Sequence, residues 1–248
     1  MHGAIRQTAN GVLSVLLAPP CAACAQPLEA PVDSVVCDAC WSRIRLLRPP
    51  FCGVCGDPLR SWRPEGPRHR CDACRVRRPH IAAGRAIGDY DGSLRAIVHA
   101  LKYDGRRSIA SPLAALLRHH GHAILSGADL VVPVPLHWLR HWRRGFNQTY
   151  ELAVGLGLPV AAVLRRTRRT RSQTGLSASA RAANVRNAFV LRSRHRIHDL
   201  CIVLVDDVST TGATMEACAR VLREGGAREV RTLTAARVAT GPPLAHPH

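Results

Sequence analysis

Four Cys-x-x-Cys pairs in the first third of the chain constrain its fold more than any other feature. They fall at Cys21/Cys24, Cys37/Cys40, Cys52/Cys55 and Cys71/Cys74, with twelve residues between the first two pairs and fifteen between the last two. Two thiolates separated by two residues can reach one tetrahedral zinc ion, and pairs at these distances are typical of zinc ribbons. The stretch is rich in proline and poor in aliphatic runs, so we expect metal to replace a hydrophobic core there.

The order of the pairs predicts two structural zinc sites. Sequential pairing gives one site from the first four cysteines (Cys21, Cys24, Cys37, Cys40) and another from the next four (Cys52, Cys55, Cys71, Cys74). Interleaved pairing is the alternative that the sequence leaves open. Four thiolates leave no open coordination position, so both sites should be structural rather than catalytic. Two further cysteines, Cys201 and Cys218, fall inside apolar patterns and are expected to be small core residues.

The N-terminus indicates which compartment these thiols occupy. Residues 11–18 are apolar, but Pro19 and Pro20 stand where a signal peptide needs small residues for cleavage. The apolar positions instead fit one face of a helix that the prolines end. We therefore expect a short docking helix and a cytoplasmic protein with reduced thiols. No apolar run approaches the roughly 20 residues of a membrane span.

After the cysteines the pattern changes to alternating strands and helices. Strands are predicted at residues 85–90, 129–134, 159–164, 201–205 and 230–238, and helices at 94–101, 113–125, 150–156 and 213–224. This alternation predicts a parallel, twisted, doubly wound α/β sheet with helices on both faces. Residues 165–186 have no core face and are predicted to form a long loop. The expected division is an N-terminal helix at 1–18, a double zinc ribbon at 19–79, the α/β domain at 80–239 and a disordered tail at 240–248.

The charge of the chain points to a polyanionic partner. The net charge is +18, and thirteen arginines but only one acidic residue, Glu151, lie between Leu136 and Ile197. A solvated basic face is the plain interpretation of these arginines. Their concentration in one segment, between two specific elements, instead favours an anion site. Nucleic acid, an anionic membrane surface and a phosphorylated ligand all fit that chemistry.

Residues 203–215, VLVDDVSTTGATM, carry the sharpest functional motif. Apolar strand residues lead into Asp206 and Asp207, and a Ser/Thr/Gly loop then opens a helix. Converging backbone N–H groups at such a helix start form a phosphate cradle, here supplied by Thr210, Thr211, Gly212, Ala213 and Thr214. The two carboxylates can accept hydrogen bonds from a diol. A merely capped helix after an acidic turn is the alternative, and the Gly-Lys-Ser/Thr of a Walker loop is missing.

This run resembles the ribose-5-phosphate loop of type I phosphoribosyltransferases, which bind phosphoribosyl pyrophosphate (PRPP). The resemblance implies that Asp206 and Asp207 contact the ribose hydroxyls. It implies that the loop from Ser209 to Thr214 holds the 5′-phosphate, and that Mg²⁺ accompanies the pyrophosphate. The expected ligand is accordingly PRPP or ribose 5-phosphate.

Further segments resemble the ComF family over about residues 20–238. They are VPVPL at 132–136, RGFNQ at 144–148, Leu101-Lys102-Tyr103, Gln173 with Arg181 and Asn184, and the cysteine pairs. The resemblance implies that residues 135–145 form the pyrophosphate loop and that 165–186 close over the site. Arg140, Arg143 and Arg144 are candidate pyrophosphate contacts because guanidinium binds phosphate bidentately. Lys102, the only lysine of the chain, is a further candidate.

Three functions are compatible with these features. The ComF resemblance implies a role in natural transformation, in the uptake or processing of single-stranded DNA together with DNA-uptake proteins. Trp138, Trp142 and Phe146, interleaved with arginines, would then either stack on bases or pack their loop onto the core. The second function is an active phosphoribosyltransferase in nucleotide or base salvage, whose acceptor and catalytic residues we do not assign. The third is a non-catalytic PRPP sensor or scaffold.

Overall fold

The computed structural model describes residues 2–59, 69–76, 79–136, 146–167, 187–192 and 197–238. Its strands are β1 (Ala83–Asp89), β2 (Leu130–Pro133), β3 (Leu164–Arg166), β4 (Phe189–Leu191), β5 (Cys201–Ser209) and β6 (Glu229–Arg237). Its helices are α1 (His2–Leu16), α2 (Asp38–Ser42), α3 (Asp72–Val76), α4 (Gly92–Tyr103), α5 (Ala110–His120), α6 (His122–Leu125), α7 (Gln148–Val154) and α8 (Ala213–Glu224). A 3₁₀ turn, Arg107–Ile109, precedes α5. Within these described ranges, no helix is long and apolar enough to cross a membrane.

A parallel sheet in the order β1-β6-β5-β2 forms the centre of the molecule and confirms the expected α/β fold. The first five residues of the central strand β5 are apolar on both faces because helices cover both. On β5, Val203 and Val205 face the core shared with α4, α5 and α7, whereas Ile202 and Leu204 face α8. The parallel strands end at one common edge, which is where ligands bind in open α/β sheets.

The helix expected at 113–125 and the loop expected from residue 165 both differ from the sequence-based expectation. The single helix expected over 113–125 is two helices, because Gly121 separates α5 from α6. A Cβ at Gly121 would lie 2.6 Å from Leu233 of β6, so this glycine lets the helix end approach the sheet closely. The long loop expected from residue 165 begins later, because Leu164–Arg166 pairs with Phe189–Leu191 in an antiparallel hairpin. Residues 168–186 lie outside the described part of the chain.

Both edges of the sheet are covered by backbone. Beside β1, the amide of Leu47 donates to Ile87 and the amide of Asp89 donates to Arg45, with a bridge between Leu46 and Gly88. Beside β2, residues 159–161 form one parallel bridge at Val160, where a full strand was expected. The sheet therefore presents few unpaired backbone groups along its sides.

The cysteine-rich segment packs directly against β1. A Cβ on Gly84 would lie 2.8 Å from the carbonyl oxygen of Val54, and a Cβ on Gly56 would lie 2.5 Å from that of Gly84. Gly56 also has a φ of +71°, which favours glycine. The backbone of the cysteine-rich segment therefore contacts the backbone of β1 directly.

A polar residue holds the N-terminal helix α1 against the cysteine-rich segment. Asn10 donates to the Asp33 carboxylate at 2.7 Å and accepts from the amide of Val32 at 2.8 Å. The apolar residues Ile5, Val12 and Leu17 are exposed. These three apolar residues are thus open to solvent rather than docked.

Candidate functional site

Two adjacent carboxylates stand at the carboxyl end of β5 and point to opposite faces of the sheet. Strand alternation turns Asp207 toward α4 and α7 and Asp206 toward α8 and the β3–β4 hairpin. Asp207 is 4% exposed, and Asp206 is half-buried. The sequence singled out both residues, and the structure shows that their environments differ.

Asp207 is held by two side chains from different helices. The ammonium of Lys102, in the last turn of α4, lies 2.7 Å from Oδ1, and Nε2 of Gln148 donates to Oδ2 at 2.8 Å. Gln148 is the first residue of α7, a position fixed by Asn147, whose side chain accepts from the amide of Thr149 at 3.1 Å. The N-cap of one short helix therefore orients a partner of the buried carboxylate.

Lys102 keeps its charge despite being largely buried. Burial lowers the pKa of its ammonium, but the charges of Asp207 and Asp206 outweigh that effect, so the net pKa is raised. The Lys102 side chain is 14% exposed. Here the lysine is an ion-pair partner of Asp207 as well as a cation at the mouth of the site.

Asp206 is the carboxylate that can change its charge near neutral pH. Burial, followed by the neighbouring charge of Asp207, raises its pKa to about 7, although Lys102 and Arg166 oppose the rise. Its Oδ1 accepts a hydrogen bond from the amide of Asp207 at 2.9 Å. Asp206 remains half-buried at the edge where the loop to α8 begins.

The loop after β5 turns into α8 through a left-handed glycine. Gly212 is the N-cap of α8 with a φ of +73°, and it provides no capping side chain. The first amides of α8 are thus not capped in the usual way by a Ser, Thr, Asp or Asn side chain. Among the described residues, Thr211 Oγ1 in the same loop is a buried hydroxyl without a hydrogen-bond partner. This combination of donors can accommodate an anion.

Phe146, expected either to stack on bases or to pack, is a core residue. It is 5% exposed, and the guanidinium of Arg107 lies 4.5 Å from its ring centroid. Arg107 and Arg106 are exposed in the turn after α4, close in sequence to Lys102, and our sequence analysis did not select them. The Arg-Arg pair at 106–107, two residues after the Leu-Lys-Tyr segment, was the signal that could have found them.

The eight paired cysteines form two clusters, each from sequential pairs. In each cluster, four Sγ atoms lie within 4.8 Å of one another, a spacing that fits one tetrahedral zinc ion. Hydrogen bonds from the Cys55 thiol and from backbone amides lower the pKa of Cys52 to about 4 although burial opposes them. Cys201 and Cys218 are buried core residues, as expected.

Comparison with known proteins matches both halves of the chain. The double zinc ribbon domain family matches residues 12–75, and the phosphoribosyl transferase domain family matches residues 142–244. Competence protein F of Haemophilus influenzae is 32% identical over 82% of this chain and 90% of its own length. The DNA utilization protein YhgH of Salmonella typhimurium is 36% identical over 79% of this chain and 87% of its own length. The chain belongs to the ComF family. A more distant ComF relative, Competence protein ComFC of Bacillus subtilis, is 26% identical over 78% of this chain and 80% of its own length.

In this ComF-family chain the described residues bring together only part of the predicted site. Asp206, Asp207, Lys102 and the loop from Ser209 to Thr214 share the carboxyl edge of the sheet. Several other residues fall outside the described ranges. They are Arg140, Arg143, Arg144, Trp138, Trp142, Gln173, Arg181 and Asn184, together with the tail at 240–248.

Proposed function

We propose that this ComF-family protein binds PRPP, as its Mg²⁺ complex, at the carboxyl edge of the sheet. The observation that carries the proposal is the joint placement of Asp206, Asp207 and the Gly212 turn at the end of β5. Carboxylates accept hydrogen bonds from the ribose diol, while the amides at the start of α8 suit the 5′-phosphate. The residues from Ser209 to Thr214 form this phosphate loop.

The chain contributes binding and orientation in this proposal. Asp207 is held rigidly by Lys102 and Gln148, so the ribose meets a carboxylate that is already positioned. Lys102, with Arg140, Arg143 and Arg144, is assigned to the pyrophosphate. Mg²⁺ would neutralise part of the pyrophosphate charge.

Calorimetric titration of Mg²⁺–PRPP into the zinc-loaded protein tests the proposal. Asp206→Asn should weaken binding about tenfold to a hundredfold, because a hydrogen bond to a charged group contributes about 1.5–3 kcal/mol. Glu224→Gln, at the far end of α8 and exposed, is the matched control and should bind like the parent. Equal affinities in the parent and in Asp206→Asn would contradict the assignment.

We further infer a role in the handling of incoming single-stranded DNA. The relatives named for competence and DNA utilization support it, as does the net charge of +18. Binding to a single-stranded oligonucleotide should weaken steeply with salt, with a log–log slope of about −0.7 for each phosphate neutralised. A flat salt dependence would contradict it.

Pyrophosphate release in the presence of a nucleobase would instead identify the active phosphoribosyltransferase.

A further inference from the structure

Arg237, at the end of β6, joins the second cysteine cluster to the sheet. Its guanidinium forms an ion pair with Asp57, donates to Asp57 Oδ2 at 2.7 Å, and donates to the Cys55 carbonyl at 3.3 Å. Arg237 is 7% exposed. Arg237 and Asp57 are separated by 180 residues in the sequence, so this contact is a product of the fold.

Asp57 in turn lies against a cysteine of the cluster. Cys55 Sγ and Asp57 Oδ2 are 3.4 Å apart, and the Asp57 carbonyl accepts from the amide of Cys52 at 2.7 Å. Once zinc binds, Cys55 is a thiolate and cannot donate this hydrogen bond. The carboxylate would then face an anion, and a cation beside both groups would remove the repulsion.

We propose that Arg237 is the outer counter-cation of the second zinc site and fixes the geometry of its Cys55–Asp57 turn. A zinc ion with four thiolates carries a net charge of −2, and the adjacent Asp57 carboxylate adds to it. A buried guanidinium that contacts both the carboxylate and the Cys55 backbone offsets that charge and orients the turn. Arg237 is thus a positioning residue for the metal site.

The first cluster packs into a different part of the molecule. Cys21 Sγ accepts from the amides of Ala23 at 3.4 Å and Cys37 at 3.3 Å, and Cys21 and Cys40 pack into the main core. The second cluster belongs to a small, separate group of buried apolar residues that includes Val54. Loss of Arg237 should therefore affect the second zinc ion and leave the first in place.

Zinc release to a colorimetric chelator tests the proposal on the full-length protein. The parent should release two zinc ions, and Cys74→Ser identifies the phase that belongs to the second site. Arg237→Gln should speed that phase tenfold or more, in line with the effect of mutating residues that support metal ligands. Arg231→Gln is the matched control, because Arg231 is an ion-paired arginine on the same strand.

The outcomes separate a specific role from general destabilisation. Acceleration of the second phase alone in Arg237→Gln, with Arg231→Gln unchanged, is the expected result. Equal acceleration of both phases, or no acceleration, would overturn the proposal. Arg237→Lys, which keeps a positive charge but loses the planar fork of the guanidinium, gives a second variant if Arg237→Gln does not fold, and it should speed only the second phase by a smaller factor. None of these measurements depends on PRPP binding, so the proposal stands or falls independently of the proposed function.

Discussion

Neighbouring residues of one strand acquire different chemistry at the end of β5. Asp207 is buried between a lysine and a glutamine, so its charge is matched inside the protein. Asp206, one residue earlier, faces the other side, where the charge of Arg166 only partly offsets burial. Asp207 is therefore held in position by its two partners, whereas the carboxyl group of Asp206 titrates near neutral pH. Substitutions at Lys102 and at Asp206 test these two properties.

Removal of Lys102 should strongly destabilise the fold. Lys102→Met leaves Asp207 buried without its ammonium partner, and breaking a buried pair in this way costs about 3–5 kcal/mol. Urea unfolding at neutral pH measures the change. Arg220→Met, which breaks the exposed pair with Glu224, should cost no more than about 1 kcal/mol. The double variant Lys102→Met/Asp207→Asn should recover much of the loss, and failure to do so would refute the charge argument.

Asp206 should make stability depend on pH between about 4 and 7. Its pKa rises from 3.8 in the unfolded chain to about 7 in the folded one. The folded state therefore binds this proton more tightly. The associated stability is full below pH 4 and is lost as pH rises through 7. Relative to the parent, Asp206→Asn should gain free energy of unfolding across this window and level off above it.

The control for that measurement is Glu224→Gln. It also removes one carboxylate, but at an exposed position away from the end of β5. A difference between Asp206→Asn and the parent that does not change with pH would show that Asp206 has an ordinary pKa.

Some of these residues could be predicted from local sequence motifs, and others could not. Asp206, Asp207 and the cysteines stand in local motifs whose spacing carries the chemistry. The ion pair between Lys102 and Asp207 was not predicted, because Lys102 belongs to α4, an element far from β5 in the sequence. Long-range ion pairs such as Arg237–Asp57 leave no local pattern.

Among the elements, α7 is short and depends on its cap. Asn147→Ala removes the bond to the Thr149 amide and should cost about 1 kcal/mol of stability, whereas Asn147→Ser should retain most of it. Denaturant unfolding compares the two variants. Because Gln148 follows the cap directly, Asn147→Ala should also weaken PRPP binding if α7 positions Asp207. Identical stability of the two variants would contradict the capping role.

The turn into α8 depends on the left-handed conformation of Gly212. Gly212→Ala should cost about 1–2 kcal/mol from backbone strain alone, since no atom lies within 4 Å of the added Cβ. Gly212→Asn should cost less, because asparagine tolerates this conformation better. Thermal unfolding ranks the variants, and a more stable alanine variant would contradict the expected order.

Periodicity predicted the long elements better than the short ones. The helix at 213–224 was predicted with the same bounds as α8, and β6 was predicted to within one residue. The β3–β4 hairpin was missed, because three-residue strands contain too little alternation to recognise. The break at Gly121 was missed because its cause is the approach of Leu233 from a distant strand.

At the scale of the molecule, the two zinc ribbons are attached differently. The first cluster contributes Cys21 and Cys40 to the main core, whereas the second has its own small core around Val54. Cys40→Ser should therefore lower the melting temperature of the whole protein. Cys74→Ser should leave the α/β part folded with one zinc ion per chain. Metal analysis and thermal unfolding distinguish the variants, and equal losses would contradict this difference.

The cover over β1 has a consequence for proteolysis and self-association. Residues 45–47 occupy one side of β1, and they come from the ribbon segment rather than from the α/β domain itself. A cleavage that releases the ribbons would leave backbone groups along one side of β1 unpaired. Fragments beginning near Ile81 should then join edge to edge into higher oligomers. On this expectation, the pairing of residues 45–47 with β1 also protects the sheet from association through its edge.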